Sequence, residues 1–415
     1  MIYIKKNKVK YYINTYLVVF VVFFFVLAIV LFPNESVKAA HEGLMTWLTV
    51  VLPALLPFFI GAELLIGLGV VKFIGVLLEP LMRPLFNVPG EGSFAFTMSV
   101  TSGYPVGAKI ITKLRLSQSI SKIEAQRLAS FCSTSGPLFI VGAVGIGMFK
   151  SKEIGYFLAF SHYLAAICVG LLFAFYRRST PINKVINRPE KNRIREAFRQ
   201  LSRCRRDNPP FGVLLGNAVK ESFNTMLMVG GFIILFSVVI KILGEVGFID
   251  YIAYFLHLIL RPLNMSLTAI KSLIVGLFEI TIGGKMVAES MYTPLITKVS
   301  VTAFIIAWSG FSIHAQCISL LGTTDLNINL YLLAKLIHAF FAGILSYLLF
   351  PLYAKWFQLS SPVFFTANSS SYSSQFFNSI KSSLELFVLI FIGLLVLSLL
   401  FSLLLSIRDF FKKRK

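Results

Sequence analysis

The sequence predicts an all-α polytopic membrane protein made of two related halves. Of its 415 residues, 56% are hydrophobic, 41 are Phe, and the mean hydropathy is +0.79. Soluble domains have only about 45–50% apolar residues. Apolar runs of membrane length recur along the chain, and one run in each half contains a polar, glycine-rich break. These observations together predict interrupted membrane helices in a duplicated fold.

The first predicted element, within residues 1–40, is an N-terminal transmembrane helix at 12–32. About 20 apolar residues cross the hydrocarbon core, whereas the apolar region of a signal peptide needs about 7–15. We therefore expect this helix to be retained. Four lysines between residues 5 and 10 precede it, and they place the N-terminus in the cytoplasm.

Each half contains five predicted segments. The first half, 41–176, has segments at 44–66, 70–88, 92–108, 126–149 and 154–176, and the second half, 211–353, has segments at 222–245, 250–263, 267–285, 298–321 and 330–353. Several are short or interrupted, which predicts half-helices or re-entrant hairpins.

Three further regions connect or follow the two halves. Residues 177–210 contain eleven Lys or Arg against three acidic residues, so they form a predicted basic cytoplasmic linker with a helical part near 196–203. Residues 354–380 are a predicted Ser-rich extracytoplasmic loop. Residues 381–415 are a predicted C-terminal transmembrane helix with a basic, cytoplasmic tail.

Three short patterns recur with an offset of roughly 175 residues, as expected for an internal repeat. Arg-Pro-Leu occurs at 83–85 and 261–263, the broken motif occurs at 102–109 and 279–285, and Ser-Gly occurs at 135–136 and 309–310. With both termini and the linker inside, an odd number of crossings per half makes the halves antiparallel. The sequence therefore predicts an inverted repeat with one extra helix at each end.

The breaks predict a solute site. Hydrocarbon leaves no water to bond free backbone groups, so Gly, Pro and hydroxyl residues at that depth indicate a protein-lined cavity. The candidate substrate-binding residues are Thr101, Ser102, Gly103, Lys109, Ser133, Thr134, Ser135, Gly136, Lys285, Ser312 and Gln316. Alternative roles stay open for three of these residues. Lys109 is also consistent with a lysine at the membrane interface whose side chain extends to the cytoplasm. Ser312 and Gln316 are also consistent with polar contacts between packed helices.

Glu279 lies in an otherwise apolar run. A carboxylate there costs several kcal/mol unless it is paired, protonated or bound to a cation. Glu279 is therefore predicted either to couple transport to a proton or another cation, or to form a buried ion pair with Lys285.

Other classes of function are disfavoured by the sequence. Cysteines and histidines have no metal-ligand spacing, and no nucleotide-binding or catalytic motif occurs, so we expect no metal, no cofactor and no enzyme activity. The net charge of +21 is concentrated at segment ends and in the linker, which favours membrane lipid rather than nucleic acid as the partner.

Residues 102–109, 124–127 and 131–139 resemble the sporulation integral membrane protein YlbJ family of endospore-forming Firmicutes, and the resemblance covers nearly the whole chain. The two halves also resemble the nucleoside-recognition or Gate domain, whose relatives include concentrative nucleoside transporters. The resemblance implies a transporter or facilitator of dipicolinic acid, an aromatic dianion, across the outer forespore membrane of the mother cell.

Two alternatives stay open at this point. The first is a Gate-type transporter of a nucleoside or another metabolite. The second is a non-transporting membrane scaffold for spore cortex assembly. A second copy of the chain and a coupling cation also remain open as partners.

Overall fold

The computed structural model describes residues 16, 19–177, 193–207, 209–260 and 265–356. This part of the chain is helical throughout, without a strand. The helices are α1 (Val19–Leu31), α2 (Pro33–Thr46), α3 (Leu52–Gly67), α4 (Val70–Phe86), α5 (Glu91–Ser102), α6 (Val106–Leu116), α7 (Lys122–Phe131), α8 (Lys152–Ala174), α9 (Arg193–Asp207), α10 (Phe211–Glu245), α11 (Phe248–Leu260), α12 (Leu267–Phe278), α13 (Ile280–Glu289), α14 (Leu295–Trp308), α15 (Gly310–Leu321) and α16 (Ile328–Trp356), with π-helices at Trp47–Val51 and Leu138–Met148.

Within the described ranges, four helical stretches are long and apolar enough to cross a membrane. They are Lys152–Ala174, Phe211–Glu245, Leu295–Leu321 and Ile328–Lys355. A fifth candidate is the pair formed by α1 and the helix that follows it, which bends by 103° at the junction before Pro33. The prediction of an all-helical integral membrane protein is confirmed.

Some predicted regions lie outside the described residues. These are residues 12–15 and 17–18 of the first predicted helix, 178–192 and 208 of the linker, the second Arg-Pro-Leu pattern, and everything after 356, which includes nearly all of the Ser-rich loop and the whole C-terminal helix. Helix α9 covers the predicted helical part of the linker.

Helices α12 and α13 form a hairpin whose two arms touch. The backbones are so close at Gly283 that a Cβ atom there would lie 2.3 Å from Gly276 Cα. The outer ends of the arms also meet, since Ser266 Oγ lies 2.8 Å from Thr293 Oγ1. A 12-residue arm rises only about 18 Å, less than the roughly 30 Å of the hydrocarbon core, so neither arm is long enough to cross a membrane by itself.

Helices α5 and α6 form the corresponding pair in the first half. The chain turns between them at Gly103, whose φ of +73° lies in the region that favours glycine. Gly107 on α6 faces Ser99 on α5, where a Cβ atom would lie 3.0 Å from the serine side chain.

Two longer segments are also interrupted. Helix α7 ends at Phe131, and regular structure resumes only with the π-helix Leu138–Met148. Helices α14 and α15 are separated by Ser309, which has a left-handed backbone with φ of +86°. All four predicted breaks are therefore interruptions of helices in the structure.

Helices α8 and α16 pack against each other behind these interruptions. Small buried residues allow the close approach, and Ser346 Oγ donates to Ser161 Oγ at 2.9 Å. The two helices contact the first-half break directly, since His162 and Tyr163 bond to the Ser135 backbone and Lys335 bonds to the Ser133 carbonyl.

Candidate functional site

The two breaks of each half lie against each other. A Cβ atom on Gly103 would lie 2.6 Å from the Gly136 backbone nitrogen, so the first-half breaks meet backbone to backbone. In the second half, a Cβ atom on Gly310 would lie 3.0 Å from the carbonyl oxygen of Phe278, next to Glu279. Glycine is required at these contacts because no side chain fits.

The four breaks surround one cavity of about 70 Å³, well above the roughly 10–15 Å³ that a single water molecule needs. Its polar wall is formed by Ser102, Gly103, Tyr104, Ser135, Gly136, Glu279, Thr281, Ser312 and Gln316. Its apolar wall is formed by Val51, Leu55, Phe59, Leu138, Phe139, Val229, Ile233, Ile280 and Ile313.

The structure brings seven of the twelve sequence-predicted residues onto this wall. They are Ser102, Gly103, Ser135, Gly136, Glu279, Ser312 and Gln316. Thr101, Ser133 and Thr134 do not line the cavity. The Thr101 hydroxyl donates to the Met98 carbonyl at 3.4 Å, and the Thr134 hydroxyl donates to the Ser99 carbonyl at 3.0 Å.

The two predicted lysines lie away from the cavity. Lys109 Nζ is 3.4 Å from Glu221 Oε2 on α10, and its side chain is half exposed. Lys285 Nζ is 3.9 Å from Glu289 Oε1, with 65% of its side chain exposed. The predicted Glu279–Lys285 ion pair is wrong, because side chains on a helix meet at spacings of three or four residues and these two are six apart.

Glu279 caps the N-terminus of α13. It has an extended backbone between α12 and α13, and its Oε2 atom accepts a hydrogen bond from the Ile282 N–H at 2.7 Å. Only 2% of the residue is exposed. The bonded N–H group and the positive end of the helix dipole favour the charged carboxylate, whereas burial favours the protonated form.

Two buried polar atoms on the cavity wall have no hydrogen-bond partner among the described residues. They are Ser102 Oγ and Gln316 Oε1. An unbonded polar atom at such a position costs about 1–3 kcal/mol, which a polar solute in the cavity offsets by bonding to it. The two atoms come from different halves of the chain.

Helix N-termini also face the cavity. Helices α6, α13 and α15 and the second π-helix all begin at the four breaks, and residues at or next to each of these starts line the wall. The first N–H groups of a helix lack intrahelical partners and carry a positive partial charge. The starts of α6, α15 and the second π-helix therefore favour an anion, whereas the Glu279 carboxylate caps the start of α13 and opposes one.

Sequence reasoning missed Lys335, which lies directly behind this wall. Lys335 on α16 is fully buried, and its Nζ donates to the Ser133 carbonyl at 2.7 Å and to the Tyr104 hydroxyl at 3.1 Å. The signal was present in the sequence, since an ionisable residue within a membrane span indicates a functional site by default.

A histidine pair from α8 and α16 was missed as well. The rings of His162 and His338 lie 4.7 Å apart, and His338 Nε2 contacts the His162 carbonyl at 3.0 Å. His162 Nε2 accepts from the Ser135 N–H at 3.1 Å, and the Tyr163 hydroxyl donates to the Ser135 carbonyl at 3.0 Å. Helix α8 therefore bonds the backbone groups that the break at Ser135 leaves free.

Among the described residues, no group of three His, Cys, Asp or Glu side chains is arranged to hold a metal ion. The site offers hydrogen-bonding groups, helix N-termini and an apolar wall. This arrangement is suited to binding a solute.

Comparison with known proteins identifies the family. The family model for nucleoside recognition, Gate, matches residues 48–177 and 226–324. The sporulation integral membrane protein YlbJ of Bacillus subtilis (strain 168) is 41% identical over 372 residues, which cover 88% of this chain and 90% of that protein. No solved structure matches the chain. The chain belongs to the family of the sporulation integral membrane protein YlbJ and carries a Gate domain.

Proposed function

We propose that this protein is a secondary transporter or facilitator that moves a small organic anion, dipicolinate, across the outer forespore membrane. The observation that supports this most strongly is the cavity at the four breaks, where Ser102 Oγ and Gln316 Oε1 are buried without partners. The relationship to a sporulation membrane protein supports the cellular setting.

An anion suits the cavity better than a neutral solute. Three helix starts without a side-chain cap, those of α6, α15 and the second π-helix, lie beside it and carry positive partial charge. The apolar wall includes Phe59 and Phe139, which provide surfaces for an aromatic ring. Dipicolinate combines an aromatic ring with two carboxylates.

Glu279 then acts as the coupling residue. Its carboxylate shares the cavity wall with the bound anion, and like charges in a buried site repel each other. A proton taken up by Glu279 relieves this repulsion, so the anion and the proton bind together. Replacement by Gln should therefore abolish accumulation driven by a proton gradient while exchange of dipicolinate across the membrane continues.

The proposed transport rests on an inverted arrangement of the two halves. The interrupted helix α14–α15 begins beside Thr293, where the α12–α13 hairpin opens. It ends at a loop in which Asp325 pairs with Arg115, at the end of the α5–α6 hairpin. The two hairpins thus enter from opposite ends of that helix, and we infer that α5–α6 enters from the cytoplasmic face.

The test is uptake of labelled dipicolinate by the purified protein in liposomes, with labelled uridine as the second substrate. We expect saturable dipicolinate uptake, and a fall in apparent affinity of about tenfold in Gln316→Leu and Ser102→Ala, because each removes a bond to the solute. Thr101→Ala is the matched control, since this hydroxyl bonds the Met98 carbonyl and not the cavity.

The other outcomes identify the alternatives. Uptake of uridine without dipicolinate would establish a nucleoside carrier, in agreement with the description of the matching family model as nucleoside recognition. Uptake of neither compound by a folded protein would favour a membrane scaffold.

A further inference from the structure

Lys335 is a buried lysine for which the described residues provide no acidic partner. It lies on α16, inside a stretch long and apolar enough to cross the membrane, and it has no exposed surface. Among the described residues, no carboxylate lies within 4.0 Å of its Nζ atom. A charge at such depth is costly unless another group compensates it.

The groups around Lys335 are uncharged acceptors. The Ser133 carbonyl and the Tyr104 hydroxyl accept hydrogen bonds from Nζ, and His338 Nδ1 lies 3.4 Å away. His314 and Cys317 on α15 and His162 on α8 are the other titratable groups that act on it or on its neighbours. These dipoles solvate an ammonium group but do not neutralise it.

Tyr104 connects the lysine to the cavity. Nζ lies 4.9 Å from the centre of the Tyr104 ring, within cation–π distance. The same tyrosine belongs to the polar wall of the cavity, and its hydroxyl lies 3.2 Å from the Ile306 carbonyl. The positive charge therefore lies one side chain behind the surface that a solute touches.

We propose that Lys335 is the residue that makes this cavity selective for anions, because none of the described carboxylates lies within 4.0 Å of its Nζ atom to neutralise it. The inference rests on the proposed function and goes beyond it, because it assigns anion selectivity to one buried lysine. The exposed lysines at 109 and 285 already have carboxylate partners and contribute little.

The decisive experiment measures dissociation constants of two ligands for the purified protein. Dipicolinate carries two carboxylates, and pyridine-2-carboxylate carries one on the same ring. Lys335→Met should raise the dissociation constant by about tenfold for each negative charge on the ligand. This is the attraction expected between two unit charges roughly 10 Å apart at an effective dielectric constant of about 20. The ratio of the two constants should thus change by about tenfold.

Lys285→Met is the matched control, because it removes an exposed lysine and should leave both constants unchanged. An equal loss for the two ligands in Lys335→Met would overturn the proposal, since a purely structural lysine that holds the Ser133 carbonyl affects both alike. Unchanged binding would overturn it as well. A wild-type protein that binds neither anion would refute the proposed function and this inference with it.

Lys335→Arg covers the case in which Lys335→Met does not fold. Arginine keeps the charge but cannot reproduce the geometry at Ser133. Retained preference for the dianion supports charge selection, and loss of that preference in a folded protein overturns it.

Discussion

Replacing Gly283 by alanine should force the α12–α13 hairpin apart. The added Cβ would lie 2.3 Å from Gly276 Cα, 2.5 Å from its nitrogen and 2.9 Å from the Ser272 carbonyl oxygen. Ordinary contact begins near 3.4 Å, so the arms must separate by 1.1 Å, the difference between 3.4 and 2.3 Å. The clash is with backbone, and backbone cannot rotate away as a side chain can.

Overpacking of this kind costs about 1–3 kcal/mol. Helix α13 begins with Ile280 and Thr281, which both line the cavity. A shift of the arm therefore also displaces part of the wall, and we expect weaker ligand binding together with lower stability.

Gly284 supplies the matched control on the same helix. A Cβ there would meet only the Met148 sulfur, at 3.5 Å, which is ordinary contact. Gly284→Ala should stabilise the protein by about 0.5–1 kcal/mol, as expected for alanine in place of glycine within a helix. The assay is thermal unfolding in detergent, followed by tryptophan fluorescence. Equal midpoints for Gly283→Ala and Gly284→Ala would refute the close packing of the two arms.

Two further predictions concern contacts between the halves. The Gln126 side chain is buried; it donates to the Asn327 carbonyl at 3.1 Å and accepts from the Asn327 N–H at 2.8 Å. Gln126→Leu should therefore lower the free energy of unfolding by about 1–3 kcal/mol in the same assay. Arg115 holds the pKa of the Asp325 carboxyl below its usual value through two hydrogen bonds. The pair contributes less than about 1 kcal/mol to the free energy of unfolding, because it is exposed. This contribution is fully present above the ordinary aspartate pKa of about 3.9, and it is lost as the pH falls through the lowered pKa of Asp325. Asp325→Asn should therefore unfold at a lower temperature than wild type at pH 7. This difference should shrink as the pH falls through the lowered pKa of Asp325, and a difference that stays constant in acid would contradict the assignment.

The positions of the breaks could be predicted because their causes are local. Gly103 and Gly310 have positive φ angles that favour glycine. Pro137 lacks an N–H group and restricts the residue before it, so the helix that ends at Phe131 does not continue through it. Such signals need no knowledge of the tertiary structure.

The direction in which each side chain points could not be predicted in the same way. Lys109 and Lys285 lie close to the breaks in sequence, yet both side chains reach acidic residues away from the cavity. The rotation of a hairpin arm about its own axis decides this, and packing against neighbouring helices sets that rotation. Lys335 is the opposite case: it is distant in sequence from every break, but its side chain contacts the break at Ser133 in the structure.

The repeat offset is the signal that could have found the histidine pair. His162 and His338 are 176 residues apart, and the same offset relates Gly107 to Gly283, which each hold two helices in close contact. Under the proposed inverted repeat, equivalent residues touch only where the axis relating the halves passes between them. In that proposed arrangement the axis would pass between α8 and α16, where the centres of the His162 and His338 rings lie 4.7 Å apart.

Residues 176 positions apart also differ in charge between the two halves. Glu279 corresponds to Gly103, and Lys335 corresponds to Ala159, which is fully buried. The second half thus provides both the carboxylate on the cavity wall and the ammonium group behind it, where the first half has glycine and alanine. If duplication produced the cavity, these two ionisable side chains are present in the second half only. Under the proposed function, the second half would therefore supply both the group that takes up the proton and the group that selects the anion.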